Sequence, residues 1–116
     1  MTVNSSVTVE RRDGVAVIYT QGYINNQAGE EVARVAYSLL DEGFKTLLLN
    51  LGGTTIVNSI GISILIEIIE KMIEIQGRLA FCCLTPTIDK TFHIMGLAQY
   101  APIYADEATA LAALGG

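Results

Sequence analysis

The sequence is poor in several residue types that mark particular classes of protein. Its 116 residues include no tryptophan, two prolines, two cysteines and one histidine. Charged residues make up only 16% of the chain and hydrophobic residues 51%, a balance that argues against disorder. The seven lysines and arginines are scattered among twelve acidic residues, so no basic stripe is available to neutralise phosphates. We therefore expect no nucleic-acid partner.

The chain also has little that would direct it into a membrane. Its first residues, MTVNSSVTVERRDG, lack the apolar core of a signal peptide. The longest apolar-rich stretch, from Ile60 to Ile75, is interrupted by charged side chains and does not suit a transmembrane span. We expect a cytoplasmic protein with no membrane insertion, folded as one domain over residues 1–116.

Residues with catalytic or metal-binding chemistry are equally scarce. Cys82 and Cys83 are adjacent, so in a strand they would point to opposite faces, and we expect two buried free thiols with no disulfide between them. His93 stands among apolar residues of a predicted helix, with no nucleophile paired to it. The sequence contains no glycine-rich phosphate loop and no spacing typical of metal ligands. We therefore expect a protein that is not an enzyme, with no catalytic residue, metal or cofactor.

The apolar pattern alternates between strands and helices. Asp13-Gly14 separates two alternating runs, which predict hairpin strands at Ser6–Arg11 and Gly14–Gln21. A helix over NNQAGEEVARVAYSLLDEG follows and should stop at Gly43. The continuously apolar runs KTLLLNL and RLAFCCL predict strands buried on both faces, and the Gly52-Gly53 pair after the first predicts a turn.

The remaining segments complete an α/β pattern. TPTIDKTFHIMGL predicts a helix with Pro86 in its first turn, APIYA a fifth strand, and DEATALAAL a last helix capped by Asp106. The order is therefore ββαβαβαβα, which indicates a mixed, mostly parallel five-stranded sheet with about four helices.

The segment after TTIVN is harder to assign, because its isoleucines alternate with a period of two, as in a strand. It is too long for a strand in so small a domain, and its polar residues recur at spacings of three and four, which favours a helix. These polar residues form one stripe: Ser59, Ser63, Glu67, Glu70 and Glu74. Ile60 falls inside this stripe, so we expect it to face solvent and to be a candidate partner contact.

The start of this helix permits two interpretations. In the first, Asn58 or Ser59 is only an N-cap that satisfies an orphan N–H group of the first turn. In the second, Ser59 accepts a phosphoryl group, because the free N–H groups and the helix dipole stabilise an anion at that end. A phosphate would add about two negative charges to a surface where a partner docks.

Several segments in order resemble the STAS domain, the family of anti-sigma factor antagonists. YTQGYINNQAGEEV is similar to the family's strand-to-helix segment, which carries a Gly-Glu-Leu-Asp type motif. KTLLLNLGGTTIVNSIGISIL resembles its buried strand, loop and Asp-Ser-x-Gly segment, and GRLAFCCLTPTIDKTFHIMGL resembles the next strand and the helix that ends in Gly-Leu. The similarity spans nearly the whole chain.

This resemblance implies a partner-switching function. The unphosphorylated protein would bind an anti-sigma factor with serine kinase activity, phosphorylation of Ser59 would reverse the binding, and a phosphatase would restore the serine. Gly61 would be the motif glycine, and the switch surface would also include the loop from Gly22 to Asn26. The implied partner-binding residues are Asn25, Asn26, Asn58, Ser59, Ile60, Gly61 and Ser63.

The sequence departs from the family's pattern at three acidic positions. Asn58 and Asn25 stand where the motifs have aspartate, and Tyr23 stands where they have glutamate. These departures leave a second function open. The chain would then be an unswitched STAS subunit of a scaffold or of a membrane lipid-transport ATPase complex.

Overall fold

The computed structural model describes residues 5–115, which form one five-stranded sheet with helices on both faces. The elements follow the predicted order ββαβαβαβα, with one added 3-10 turn, Leu97–Gln99, before the last strand. They are β1 (Ser5–Arg11), β2 (Ala16–Ile24), α1 (Asn26–Asp41), β3 (Thr46–Val57), α2 (Ser59–Glu74), β4 (Arg78–Cys82), α3 (Pro86–Ile94), β5 (Ile103–Tyr104) and α4 (Glu107–Gly115).

The strands lie in sequence order across the sheet, from β1 to β5. β1 is antiparallel to β2, and all other neighbours are parallel. The mixed, mostly parallel sheet predicted from the alternation of strands and helices is therefore confirmed. Because β2 and β3 are parallel neighbours, the helices that follow them begin at the same edge of the sheet.

The core lies on both faces of β3, as its continuous apolar run predicted. Leu47, Leu49 and Leu51 pack in the larger cluster with α1, α2 and α3. Leu48 points the other way, into a smaller cluster with Ala110 of α4. All four leucines are fully buried.

The predicted helix ends agree with the structure. α1 is followed by Gly43 in the left-handed conformation, with φ of +107°. Pro86 is the first residue of α3, where a missing N–H is tolerated. Asp106 caps α4, since its carboxylate accepts a hydrogen bond from the Thr109 N–H at 2.7 Å. Within residues 5–115, no helix combines the length and apolar character needed to cross a membrane.

Two strand predictions are wrong at their ends. β2 starts at Ala16 rather than Gly14, because Gly14 lies in the hairpin turn with φ of +77°, and it continues through the predicted loop to Ile24. β3 likewise runs through Gly52-Gly53 to Val57, with no turn there. The close pairing of β2 and β3 explains this, because a Cβ at Gly53 would lie 2.9 Å from the Thr20 carbonyl oxygen.

The prediction that Cys82 and Cys83 point to opposite faces is also wrong. β4 ends at Cys82, and Cys83 adopts a left-handed backbone conformation with φ of +66°. The strand alternation therefore stops between them, and the two Sγ atoms lie 3.6 Å apart. Both are free thiols, as predicted, but only Cys82 is buried, because Cys83 lies beyond the end of the strand.

Candidate functional site

The N-termini of α1 and α2 lie side by side at the carboxyl ends of β2 and β3. Ile24 and Val57, the last residues of the two strands, are paired in register. The Asn58 N–H donates to the Ile24 carbonyl oxygen at 3.0 Å and so joins the second helix start to the first. Two helix N-termini, each the positive end of a dipole, therefore share one edge of the sheet.

Asparagine caps both of these helices. The Asn58 side-chain oxygen accepts from the Gly61 N–H at 2.7 Å, and the Asn25 oxygen accepts from the Ala28 N–H at 3.0 Å. Asn58, not Ser59, is thus the N-cap of α2. Because asparagine caps about as well as aspartate, the local fold survives the two departures from the acidic motif. Neither first turn contains an acidic residue, so both helix starts are free of carboxylates.

Ser59 is the first residue of α2 and is exposed. Since Asn58 makes the capping hydrogen bond, the fold does not require the Ser59 hydroxyl for this purpose. The hydroxyl lies at the first turn of α2, where backbone N–H groups have no hydrogen-bond partner within the helix. The arrangement can carry a modification on Ser59 without removing the cap.

Exposed apolar side chains occur just before and just after this serine in the chain, and on the strand paired with β3. Ile60 is 51% exposed, as its place in the polar stripe predicted, and Ile56 at the end of β3 is 55% exposed. Tyr23, which pairs with Ile56 in register, is 40% exposed. Ile56 was not among the predicted partner contacts, because the glycine pair before it obscured the continuation of β3 in the sequence. A longer apolar run after the glycines would have indicated that the strand continues to Ile56.

We call this region the helix-start surface and define it by its accessible residues: Tyr23, Asn25, Asn26, Ile56, Asn58, Ser59 and Ile60. Of the other two predicted partner-binding residues, Ser63 is exposed one turn further along α2, and its hydroxyl donates to the Ser59 carbonyl oxygen at 3.0 Å. Gly61 is buried. It supports the surface from within, since a Cβ there would lie 2.7 Å from the Ile24 carbonyl oxygen.

A buried pair of threonines stabilises the strands beneath the helix-start surface. Thr20 and Thr54 are 3% and 1% exposed, and their hydroxyl groups hydrogen-bond to each other. They lie where the register between β2 and β3 shifts. No spacing rule in the sequence would have paired them, because the shift itself brings them together.

The helix-start surface suits docking of a protein surface better than capture of a small molecule. The cleft beside Ile56, between the end of β3 and α3, holds only about 90 Å³. Ligand pockets typically hold about 300–1,000 Å³. In the part of the chain from 5 to 115, no group of three or more histidine, cysteine or acidic side chains is placed to hold a metal ion.

Strongly shifted pKa values occur away from the helix-start surface. Burial, followed by hydrogen bonds to Glu107 and Glu10, raises the pKa of Tyr19. Burial is also the largest cause that raises the pKa of Cys82. Both shifts keep the group protonated at neutral pH, which is the opposite of an activated nucleophile.

Comparisons with known proteins agree with the fold. The model of the STAS domain matches residues 6–110. The chain is 25% identical over 107 residues to a protein from Bordetella bronchiseptica named as the anti-sigma factor antagonist BtrV, with 92% of each chain covered.

Two solved structures are similar over most of their length. An anti-sigma factor antagonist from Mycobacterium paratuberculosis has a TM-score of 0.85 at 23% identity, with 97% of this chain and 95% of that one covered. The Bacillus cell fate determinant SpoIIAA, in its phosphorylated form, has a TM-score of 0.74 at 20% identity, with 91% and 96% covered. At these identities the structures establish a shared fold.

Proposed function

The chain belongs to the STAS domain family, and from that premise we propose that it is an anti-sigma factor antagonist whose binding is controlled by phosphorylation of Ser59. One observation carries the proposal: Ser59 is exposed at the first position of α2, while Asn58 makes the capping hydrogen bond. The names of similar proteins support the antagonist role.

The unmodified helix-start surface would bind the anti-sigma factor through its apolar side chains. Tyr23, Ile56 and Ile60 expose large apolar groups at the strand ends and at the first turn of α2, where Ser59 is small and uncharged. Burying them against a partner would stabilise the complex by roughly 25 cal/mol for each Å² of apolar surface removed from water. The neutral Asn25 and Asn58 caps would add no carboxylate to desolvate.

Phosphorylation of Ser59 would reverse this binding without unfolding the domain. The phosphate would add about 1.5–2 negative charges in the centre of the surface, and burial of that charge against an apolar partner is strongly unfavourable. The first-turn N–H groups and the helix dipole would stabilise the phosphate in the free protein. The anti-sigma factor would supply the kinase activity and a phosphatase would remove the phosphate, so this chain is the substrate and not the catalyst.

The test is incubation with ATP and an anti-sigma factor kinase from the same organism, followed by mass spectrometry. Native protein should gain one phosphate and lose its affinity for the kinase. Ser59→Ala should gain none and bind constitutively, whereas Ser63→Ala, one turn further along the same helix, should be phosphorylated normally. A native protein that gains no phosphate, or a phosphate that stays on the Ser59→Ala variant, would refute the assignment.

The neutral caps favour a second candidate function, an unswitched subunit of a scaffold or of a lipid-transport ATPase complex. With no acidic residue in either first turn, the helix-start surface could form a permanent apolar contact. A stable stoichiometric complex with such a subunit, formed equally by native protein and Ser59→Ala and unaffected by ATP, would favour this candidate over the switch.

A further inference from the structure

Cys82 and Cys83 form a pair of thiols that the proposed function does not use. Their Sγ atoms are 3.6 Å apart, although adjacent strand residues normally point to opposite faces. The cause is the left-handed conformation of Cys83, which is uncommon for a residue with a side chain. Cys82 is fully buried and Cys83 is partly accessible, so one sulfur faces the interior and the other is close to solvent.

The surrounding strands hold this arrangement in place. The Cys83 N–H donates to the Tyr104 carbonyl oxygen of β5 at 3.3 Å. On the other side, a Cβ added at Gly52 of β3 would lie 3.3 Å from the Cys83 Cβ, so β3 passes close to this residue. Cys82 packs in the smaller core cluster with Leu48 and Ala110. The thiol pair therefore lies at the end of β4, between β3, β5 and α4.

We propose that Cys82 and Cys83 are a vicinal-dithiol modification site, which a hydroperoxide oxidises to a reversible intrachain disulfide. With hydrogen peroxide, the accessible Cys83 sulfur takes one oxygen to form a sulfenic acid, and one water leaves. The Cys82 sulfur then attacks the Cys83 sulfur, the S–O bond breaks, the S–S bond forms, and a second water carries away the remaining thiol proton. The peroxide gains the two electrons that the thiol pair loses.

The two cysteines have different roles in this reaction. Burial raises the pKa of the Cys82 thiol, so Cys82 stays protonated and protected from oxidants in solution. The same protonation makes Cys82 a weak nucleophile, so it resolves the sulfenic acid through its position, and its proton leaves with the departing oxygen as the S–S bond forms. A sulfur held 3.6 Å away meets that sulfenic acid far more often than a thiol on a second molecule at micromolar concentration.

The disulfide would be easily reduced. The Cα atoms of adjacent residues joined by a trans peptide are about 3.8 Å apart, whereas disulfides usually span about 4.4–6.8 Å. The strain makes the bond more oxidising and labile. The loop it closes is also the shortest possible, so it restricts the unfolded chain very little. The bond is therefore a reversible modification rather than a structural staple.

The test treats the folded protein with a small excess of hydrogen peroxide, then denatures it, alkylates free thiols and measures intact mass. Native protein should lose about 2 Da, remain monomeric and take up no alkylating reagent, and glutathione should restore both reactive thiols. Cys82→Ala should stop at a sulfenic acid on Cys83, trapped by dimedone. Cys83→Ala should keep its buried thiol unmodified at the same dose.

Three results would overturn the proposal. Native protein could keep two reactive thiols, form a disulfide-linked dimer, or accumulate sulfenic and sulfinic acid as readily as Cys82→Ala. Circular dichroism of each variant ensures that a change in thiol chemistry is not a change in folding. Because Cys83 is partly exposed, its alanine variant should fold and serve as the control in every case.

Discussion

Substitution of Gly61 by alanine tests whether the close approach of α2 to β2 determines the helix-start surface. The new Cβ would lie 2.7 Å from the Ile24 carbonyl oxygen and 3.1 Å from the Val57 Cγ1. A backbone oxygen in a paired strand cannot move aside, so the first turn of α2 must shift by roughly 0.5 Å or more. Overpacking of this kind costs about 1–3 kcal/mol, against at most about 1 kcal/mol gained from the better helix propensity of alanine.

We therefore expect Gly61→Ala to lower the free energy of unfolding by about 1–2 kcal/mol. In a chain of this length that corresponds to a fall in Tm of about 4–8 °C, measured by circular dichroism at 222 nm. The same shift would displace Ser59, so phosphorylation by the partner kinase should slow even at temperatures where the variant is fully folded.

Gly29→Ala is the matched control on the facing helix. Its new Cβ would approach Ile64 Cδ1 at 2.8 Å, but this atom is the tip of a flexible side chain that can rotate away. The rotamer cost of about 0.5–1.5 kcal/mol and the propensity gain of about 1 kcal/mol nearly cancel. If Gly61→Ala proved as stable as Gly29→Ala, the close contact at Gly61 would not be what sets the start of α2.

Further substitutions at four positions test the caps and the buried polar pair. Asn58→Ala should lower the free energy of unfolding by about 1 kcal/mol in urea titrations. Asn58→Asp should keep the stability but place a carboxylate beside phosphorylated Ser59. The repulsion between the two negative groups should slow phosphorylation of Ser59 or speed removal of the phosphate. Thr20→Val or Thr54→Val alone should each cost about 1–3 kcal/mol by leaving one buried hydroxyl unpaired, and the double variant should recover much of that loss. Hydrogen bonds from Thr109 lower the pKa of Asp106. The carboxylate therefore contributes stability above the unfolded pKa of about 3.9, and this contribution is lost as the pH falls through the lower folded pKa. Asp106→Asn should lack this component of acid unfolding.

The element order was predictable because burial leaves a regular trace in the sequence. Apolar spacing distinguished helices from strands, and the polar stripe of α2 correctly placed Ile60 in solvent. The choice between Asn58 and Ser59 as the cap was not predictable, since both residue types cap helices well. Only the hydrogen bond from Gly61 to the Asn58 oxygen decides it.

The errors share a physical cause, which is that local residue types do not report long-range pairing. Gly52-Gly53 has the composition of a turn, yet β2 requires glycine at Gly53 because its backbone approaches closely. The extended β3 then carries Ile56 to the helix-start surface. The left-handed Cys83 likewise depends on contacts with β3 and β5, which no alternation rule can anticipate.

The two asparagine caps separate folding from recognition in this chain. Aspartate at Asn25 and Asn58 would perform the same capping role and would also place one negative charge at the start of each helix. The structure has both capping hydrogen bonds with no charge, so the departures from the family's motif alter the electrostatic potential of the helix-start surface and keep its capping hydrogen bonds. A partner that recognises those carboxylates through basic side chains would therefore bind this chain more weakly. A partner that presents apolar or acidic groups would bind it better, and phosphorylation of Ser59 would then make the largest charge difference on the surface.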